Sequence, residues 1–238
     1  MATWVTHLRI ADAVLKEMGT LDARGFCVGS IAPDCNVENA DWSAFTPPRE
    51  VTHWMTDARK TAADSDRFWT EYAQSRFGTA DAQQRSFLLG CYAHLITDAG
   101  FQSMIREDGR VRAVWQRIRA HPVFAPQAVG ADETWDAAKR LLTKARLSRE
   151  MQTMEAEYLE KNPQSGYITH ILPLTAFPDY LDYMPSGCIA RKVRVMGTPP
   201  RKTESEFLLL SREEYAHFVH QTTRLTLQKL RAVDYNSR

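Results

Sequence analysis

Hydrophobic residues recur at helical spacing along most of this chain. Val5, Leu8, Ala11, Val14, Leu15 and Met18 predict a first helix over about Trp4 to Met18, with Gly19 as its stop. A second short helical piece, Asp22 to Ile31, runs into Ala32-Pro33-Asp34, where the proline turns the preceding residue out of helical geometry. Asn36 to Glu50 is polar and broken by Pro47-Pro48, an excursion of a length that is more often functional than idle. Helices follow at about Ala62 to Ser75, Asp81 to Glu107 and Arg110 to Ala120, the last with Trp115 and Ile118 inside. The run from Asp81 to Glu107 has no proline and carries apolar residues on every side, so it reads as a central, buried helix.

After a loop at His121 to Gly130, Asp132 is placed to cap one long helix reaching about Lys161, carried by Trp135, Ala138, Leu142, Met154 and Tyr158. Tyr167 to Met196 is apolar but interrupted by three prolines, which predicts two or three short helices. Gly197 to Arg201 is a linker. Ser211-Arg-Glu-Glu214 is a capping box, and Tyr215, Phe218, Val219, Leu225, Leu230 and Val233 form the inward stripe of a last helix. The only short strand candidate is Phe207 to Leu210. The fold class predicted is all-α, a multi-helix bundle.

At 238 residues and 44% hydrophobic content the chain can bury a sizeable core as one large domain or two small ones. Thirty Lys and Arg nearly cancel 29 Asp and Glu, so the electrostatic footprint of a nucleic-acid binder is missing. No apolar run reaches the length of a transmembrane segment, and charges interrupt the apolar pattern of the N-terminus, so it does not read as a signal peptide. Four scattered cysteines without Cys-x-x-Cys spacing suit a reducing, cytoplasmic setting.

The chemistry sits on the central helix. His94 and Asp98 are four apart, which stacks an imidazole and a carboxylate on one face. Such a pair is either a hydrogen bond inside the core or two ligands of one divalent metal. Three other stretches are able to converge on it: Thr6-His7-Leu8, Pro33-Asp34 and Thr52-His53-Trp54. Each alone has an ordinary explanation, His7 as a helix-end histidine, Asp34 as a turn residue and His53 as a loop histidine beside an aromatic. His170, with Asp179 and Asp182 nearby in sequence, is a further possible donor set, whereas His217 and His220 fall on a solvated face of the last helix. Neither a nucleophile elbow nor a phosphate loop occurs. Metal-activated water is the chemistry these residue types support.

In order and local wording, Thr6-His7-Leu8, Pro33-Asp34, His53-Trp54 and Gly90-Cys-Tyr-Ala-His94-Leu-Ile-Thr-Asp98 resemble the zinc-dependent phospholipase C family, whose superfamily also holds the S1/P1 nucleases. The resemblance covers roughly the first hundred residues. It implies that Asp34, His53, His94 and Asp98 surround one zinc, with Asp98 bridging to a second near His7. Secreted members complete the metal beside the first histidine with a mature N-terminal tryptophan; here Trp4 lies too close to His7 to stand in for it. The family's further histidine and His-x-x-x-Glu downstream of the central helix have no counterpart, so one or two zinc ions are expected rather than three.

The chain is expected to form a single domain over 1–238, with the metal site in 1–120 and additional packing helices in 121–238. The resemblance implies a zinc-dependent phosphoester hydrolase acting on a small phosphoester or lipid head group, with Asp34 as general base. Three alternatives stand beside it: a non-catalytic helical scaffold with a structural metal site, an S1/P1-like nuclease, and an unrelated metal-dependent phosphohydrolase of the His-Asp type, against which the lack of an adjacent His-Asp pair counts. Near-zero net charge and the lost downstream ligands count against the nuclease and against nucleic acid as a partner.

Overall fold

Thr3 starts the first helix: its hydroxyl accepts from the Thr6 amide at 3.3 Å, and α1 then runs Trp4–Glu17 with Val5, Leu8, Ile10, Ala11 and Val14 buried. The computed structural model describes residues 2–55 and 63–235. After α1 the chain forms α2 (Ala23–Gly29), capped by Asp22, and a 3-10 turn at Ala32–Asp34. A two-residue antiparallel ladder, β1 (Val37–Glu38) on β2 (Phe45–Thr46), precedes the one-turn helix α3 (Arg49–Thr52). Next come α4 (Ser65–Phe68), a π turn (Trp69–Ala73) and α5 (Gln74–Phe77), then the central α6 (Ala82–Met104) and α7 (Asp108–Ala120). A 3-10 turn (Ala125–Ala128), α8 (Trp135–Leu142), α9 (Lys144–Lys161), a second π turn (Tyr167–Ile171), α10 (Cys188–Met196) and α11 (Arg212–Tyr235) complete it. The fold is all-α, as the periodicity predicts.

Three glycines decide how the centre is packed. A Cβ on Gly25 would lie 2.4 Å from the Gln83 carbonyl oxygen, one on Gly29 2.1 Å from that of Phe87, and one on Gly90 2.3 Å from that of Phe26. α2 and α6 therefore meet backbone to backbone, an approach that no side chain would permit. Every residue of α6 from Ser86 to Asp98 is buried. α11 packs across α1 and α6, burying Tyr215, Phe218, Val219 and Leu230. Its capping box forms as read from sequence: the Ser211 amide donates to Glu214 Oε2 at 2.9 Å and the Glu214 amide to Ser211 Oγ at 3.2 Å.

The structure corrects several expectations. The long helix predicted from Asp132 is two helices: Thr134, not Asp132, caps α8, and Thr143 breaks the path at φ +69° before α9 begins. Phe207 to Leu210 is not a strand. Phe207 at φ +51° turns the chain so that the amides of Leu208, Leu209 and Leu210 all donate to the buried carboxylate of Glu150, at 2.8 to 3.2 Å. The strands that do form lie in the Asn36 to Glu50 excursion and are too short to carry an alternating pattern. Tyr167 to Met196 holds one π turn and one helix, with a non-helical run through the prolines between them. Leu225 is 42% exposed, on an open groove of about 1420 Å³ lined by α6, α7 and α11. The helix expected from Ala62 starts outside the described residues; its described part begins at the cap Asp64.

The second half of the chain holds the first in place. Glu155 of α9 accepts from the hydroxyls of Thr3 and Thr6 at the start of α1, and Thr6 Oγ1 also lies 2.8 Å from the Tyr215 hydroxyl of α11. Asp12 of α1 accepts from the Gly166 amide at 2.8 Å and from the Ser165 and Tyr158 hydroxyls at 2.6 and 2.7 Å.

Candidate metal centre

The close glycine contact sets the first element of the site. Ser30 follows α2, and its carbonyl stands 2.8 Å from Nδ1 of His94. A carbonyl only accepts, so Nδ1 carries the proton and Nε2 of His94 is left with a free lone pair. This is the second contact by which a metal-ligating histidine is usually oriented. His53 is fixed in the same manner by the Thr52 hydroxyl, 2.8 Å from its Nδ1. Directly after it, Trp54 adopts φ +55° and turns into an aromatic cluster with Phe68, Tyr72 and Tyr183, which pins the end of α3. A left-handed tryptophan costs roughly 1 kcal/mol or more, strain of the kind that collects at functional sites.

All five residues singled out from the sequence come together. Nε2 of His53 lies 3.3 Å from Nε2 of His94, 3.3 Å from Asp34 Oδ1 and 3.4 Å from Asp98 Oδ2. His7 stacks on His94 with ring centroids 3.9 Å apart, and its Nε2 is 3.6 Å from Asp98 Oδ1. Two sets form, His7 with His94 and Asp98, and Asp34 with His53 and His94; in each the donor atoms lie within 4.8 Å of one another. His94 is shared between the sets, and Asp98 stands between them with one oxygen toward His7 and the other toward His53.

The donor set suits a divalent metal. His7 is buried, yet neither of its ring nitrogens has a hydrogen-bond partner. Such an unpaired polar ring is costly in a core and is satisfied by coordination. Burial, and after it the neighbouring His7 ring, pushes His94 down to about 3, so it is neutral at physiological pH as a ligand must be. Burial pushes Asp34 up, but His94 and His53 outweigh it and hold its carboxyl well below the usual range. Asp98 is likewise held down, against burial, first by the approach of His53 and then by His7, whose Nε2 stands 3.6 Å away, too far for a hydrogen bond. His53 is opposed by burial but raised on balance by Asp34 and Asp98. Imidazole nitrogens and carboxylate oxygens gathered this closely are ligands of the kinds zinc takes.

Three partners of the site were not legible in the sequence. Arg49 opens α3 and reaches Asp98 Oδ2 with Nη2, while its Nη1 lies 3.4 Å from Asp34 Oδ1. The Ala2 amide donates to Asp98 Oδ1 at 3.1 Å, whereas Trp4 is buried with its indole N–H unpaired. Ser30 is the third. The alternative donors fall elsewhere: Asp179 binds Ser186 and the Gly187 amide on the surface, Asp182 is exposed and pairs with Arg76, and His170 sits half-buried on the second π turn. His217 and His220 are exposed on α11, as their position predicts.

Residues 6–100 match the family model described as zinc dependent phospholipase C, a segment that contains all five clustered side chains. Neither a curated protein nor a solved structure matches the chain. Among the described residues no helix is long and apolar enough to cross a membrane.

Proposed function

We propose that the chain is a zinc-dependent hydrolase of phosphoester bonds, phospholipase C-like, taking a small phosphoester or lipid head group. The observation that carries this reading is the convergence of His7, Asp34, His53, His94 and Asp98 inside the matched segment, with His7 unpaired. His53, His94, Asp34 and Asp98 would hold one ion, and Asp98 with His7 the position for a second, giving one or two per chain. Zinc bound there supplies positive charge that polarises a phosphoryl oxygen and makes water easier to deprotonate.

The chain's own residues do the rest. Ser30 and Thr52 hold the two imidazoles so that Nε2 of each faces the cluster. The lowered pKa of the Asp34 carboxyl and its greater exposure than Asp98, at 11% against 2% of the side chain, support Asp34 as the carboxylate that accepts a proton from water. The packing of α9 and α11 on α1 supports one domain over 1–238 rather than two. Four buried, unbridged cysteines support a cytoplasmic setting.

The depth of the site favours one rival, a non-catalytic scaffold whose metal only holds the core together, since His94 and Asp98 are almost fully enclosed. Asp34→Asn separates the two. In a hydrolase it lowers turnover of a generic phosphodiester probe by about a hundredfold or more with little change in stability. Elemental analysis finds one or two zinc ions in either case. Wild-type protein that carries zinc but turns over no probe establishes the scaffold, and protein without zinc after metal-replete expression overturns the reading.

A further inference from the structure

Arg49 is the one cation that touches the site's carboxylates among the described residues, and it touches both. Its side chain is 28% exposed, against 11% for Asp34 and 2% for Asp98, so the guanidinium forms the outer wall of the cluster. The oxygens it takes, Asp34 Oδ1 and Asp98 Oδ2, are the same two that His53 Nε2 approaches at 3.3 and 3.4 Å. A divalent ion bound by His53 and those oxygens therefore competes with Arg49 directly. The doubly charged ion wins the carboxylates at equal distance, because its attraction is twice that of a guanidinium and carries no side-chain entropy cost.

Once displaced, the guanidinium stays within reach of the site, because the backbone that carries it is held there. Arg49 is one turn before His53, and the Thr52 hydroxyl is bonded at 3.3 Å to the Arg49 carbonyl and at 2.8 Å to the His53 ring. Its backbone is thus tied to the same group that aims the ligand. β2 and α3 are further anchored through the hairpin, where Glu38 binds the buried Lys192 and, at 2.7 Å, Arg191 of α10. A guanidinium held at the mouth of a dication site presents a planar fork that matches two non-bridging phosphoryl oxygens.

We propose that Arg49 is the phosphoryl-binding residue of this site: it neutralises Asp34 and Asp98 in the metal-free protein and turns to the phosphoryl oxygens of the substrate once a divalent ion takes the carboxylates. The proposal rests on the zinc reading above. A structural ion pair would make Arg49 an aid to metal binding or irrelevant to it; an exchanging guanidinium makes it a competitor of the metal and a partner of the anion.

The test uses the full chain as wild type, Arg49→Met and Arg49→Lys. Zinc affinity is read by competition with a chromophoric chelator, and inorganic phosphate binding to the zinc-loaded protein by titration calorimetry. Arg49→Met is expected to bind zinc about threefold or more tighter and phosphate about tenfold or more weaker than wild type. Arg49→Lys keeps the charge but not the fork, so its phosphate affinity falls in between, and it carries the test should the methionine variant fold poorly. Zinc-loaded variants that bind phosphate within about twofold of wild type, or that bind zinc more weakly, overturn the proposal and leave the zinc reading standing. Wild-type protein that binds no zinc overturns both.

Discussion

Replacing His94 with alanine removes an imidazole from the centre of α6, where no part of it reaches solvent. Three contacts go with it: the 2.8 Å bond to the Ser30 carbonyl, the 3.9 Å stack with His7 and the 3.3 Å approach to His53. The abandoned carbonyl costs about 1–3 kcal/mol. The space left by the ring adds about 2 kcal/mol, because the backbone-to-backbone contact of α2 with α6 cannot collapse into it. Together the loss is about 3–5 kcal/mol, which for a chain of this size lowers Tm by about 6–20 °C.

Calorimetry on zinc-loaded and EDTA-treated protein reads this loss and the ligand role separately. On the zinc reading proposed above, the metal binds only the folded state and is expected to raise the Tm of the wild type. In His94→Ala that increment disappears, on top of the lower Tm of the metal-free protein. A variant that keeps the zinc increment and loses only stability shows that His94 is a packing residue. One that keeps both refutes the view that the fold and the metal share this side chain.

The packing and the buried charge give two further expectations. Gly29→Ala gains about 1 kcal/mol of helix propensity but drives a methyl group into the Phe87 carbonyl, 2.1 Å away, a cost of about 3 kcal/mol or more. Urea denaturation should show a net loss of about 2 kcal/mol, and a variant as stable as Gly78→Ala, where a Cβ meets nothing within 4 Å, counts against the close contact. Burial raises Glu155 from the usual 4.5 to about 7, against the hydroxyls of Thr3 and Thr6, which lower it. A raised folded value means its contribution is complete below pH 4.5 and lost as pH climbs through 7, a loss of about 3 kcal/mol. Glu155→Gln does not ionise, so between pH 5 and pH 8 its stability should improve relative to wild type by about 2–3 kcal/mol; a difference independent of pH removes Glu155 from this role.

What the sequence determined by itself is what local spacing encodes. The central helix, α1 and the capped start of α11 follow from apolar periodicity and from side chains that cap amides three residues away. The five clustered residues were legible because each lies in a short stretch, on or beside a helix or tight turn, whose wording is local. Tertiary structure decided the rest. The His94 contact to Ser30 spans 64 residues, the Arg49 contact to Asp98 spans 49 and that of Ala2 to Asp98 spans 96, and no periodic pattern reaches so far. The break at Thr143, the turn of Phe207 around Glu150 and the exposure of Leu225 belong to the same class. In each, a backbone takes an uncommon angle or a side chain goes uncovered because of what another part of the chain supplies or fails to supply. Propensity is a weak local preference of a few tenths of a kcal/mol per residue, and a buried carboxylate or a backbone-to-backbone helix contact outweighs it.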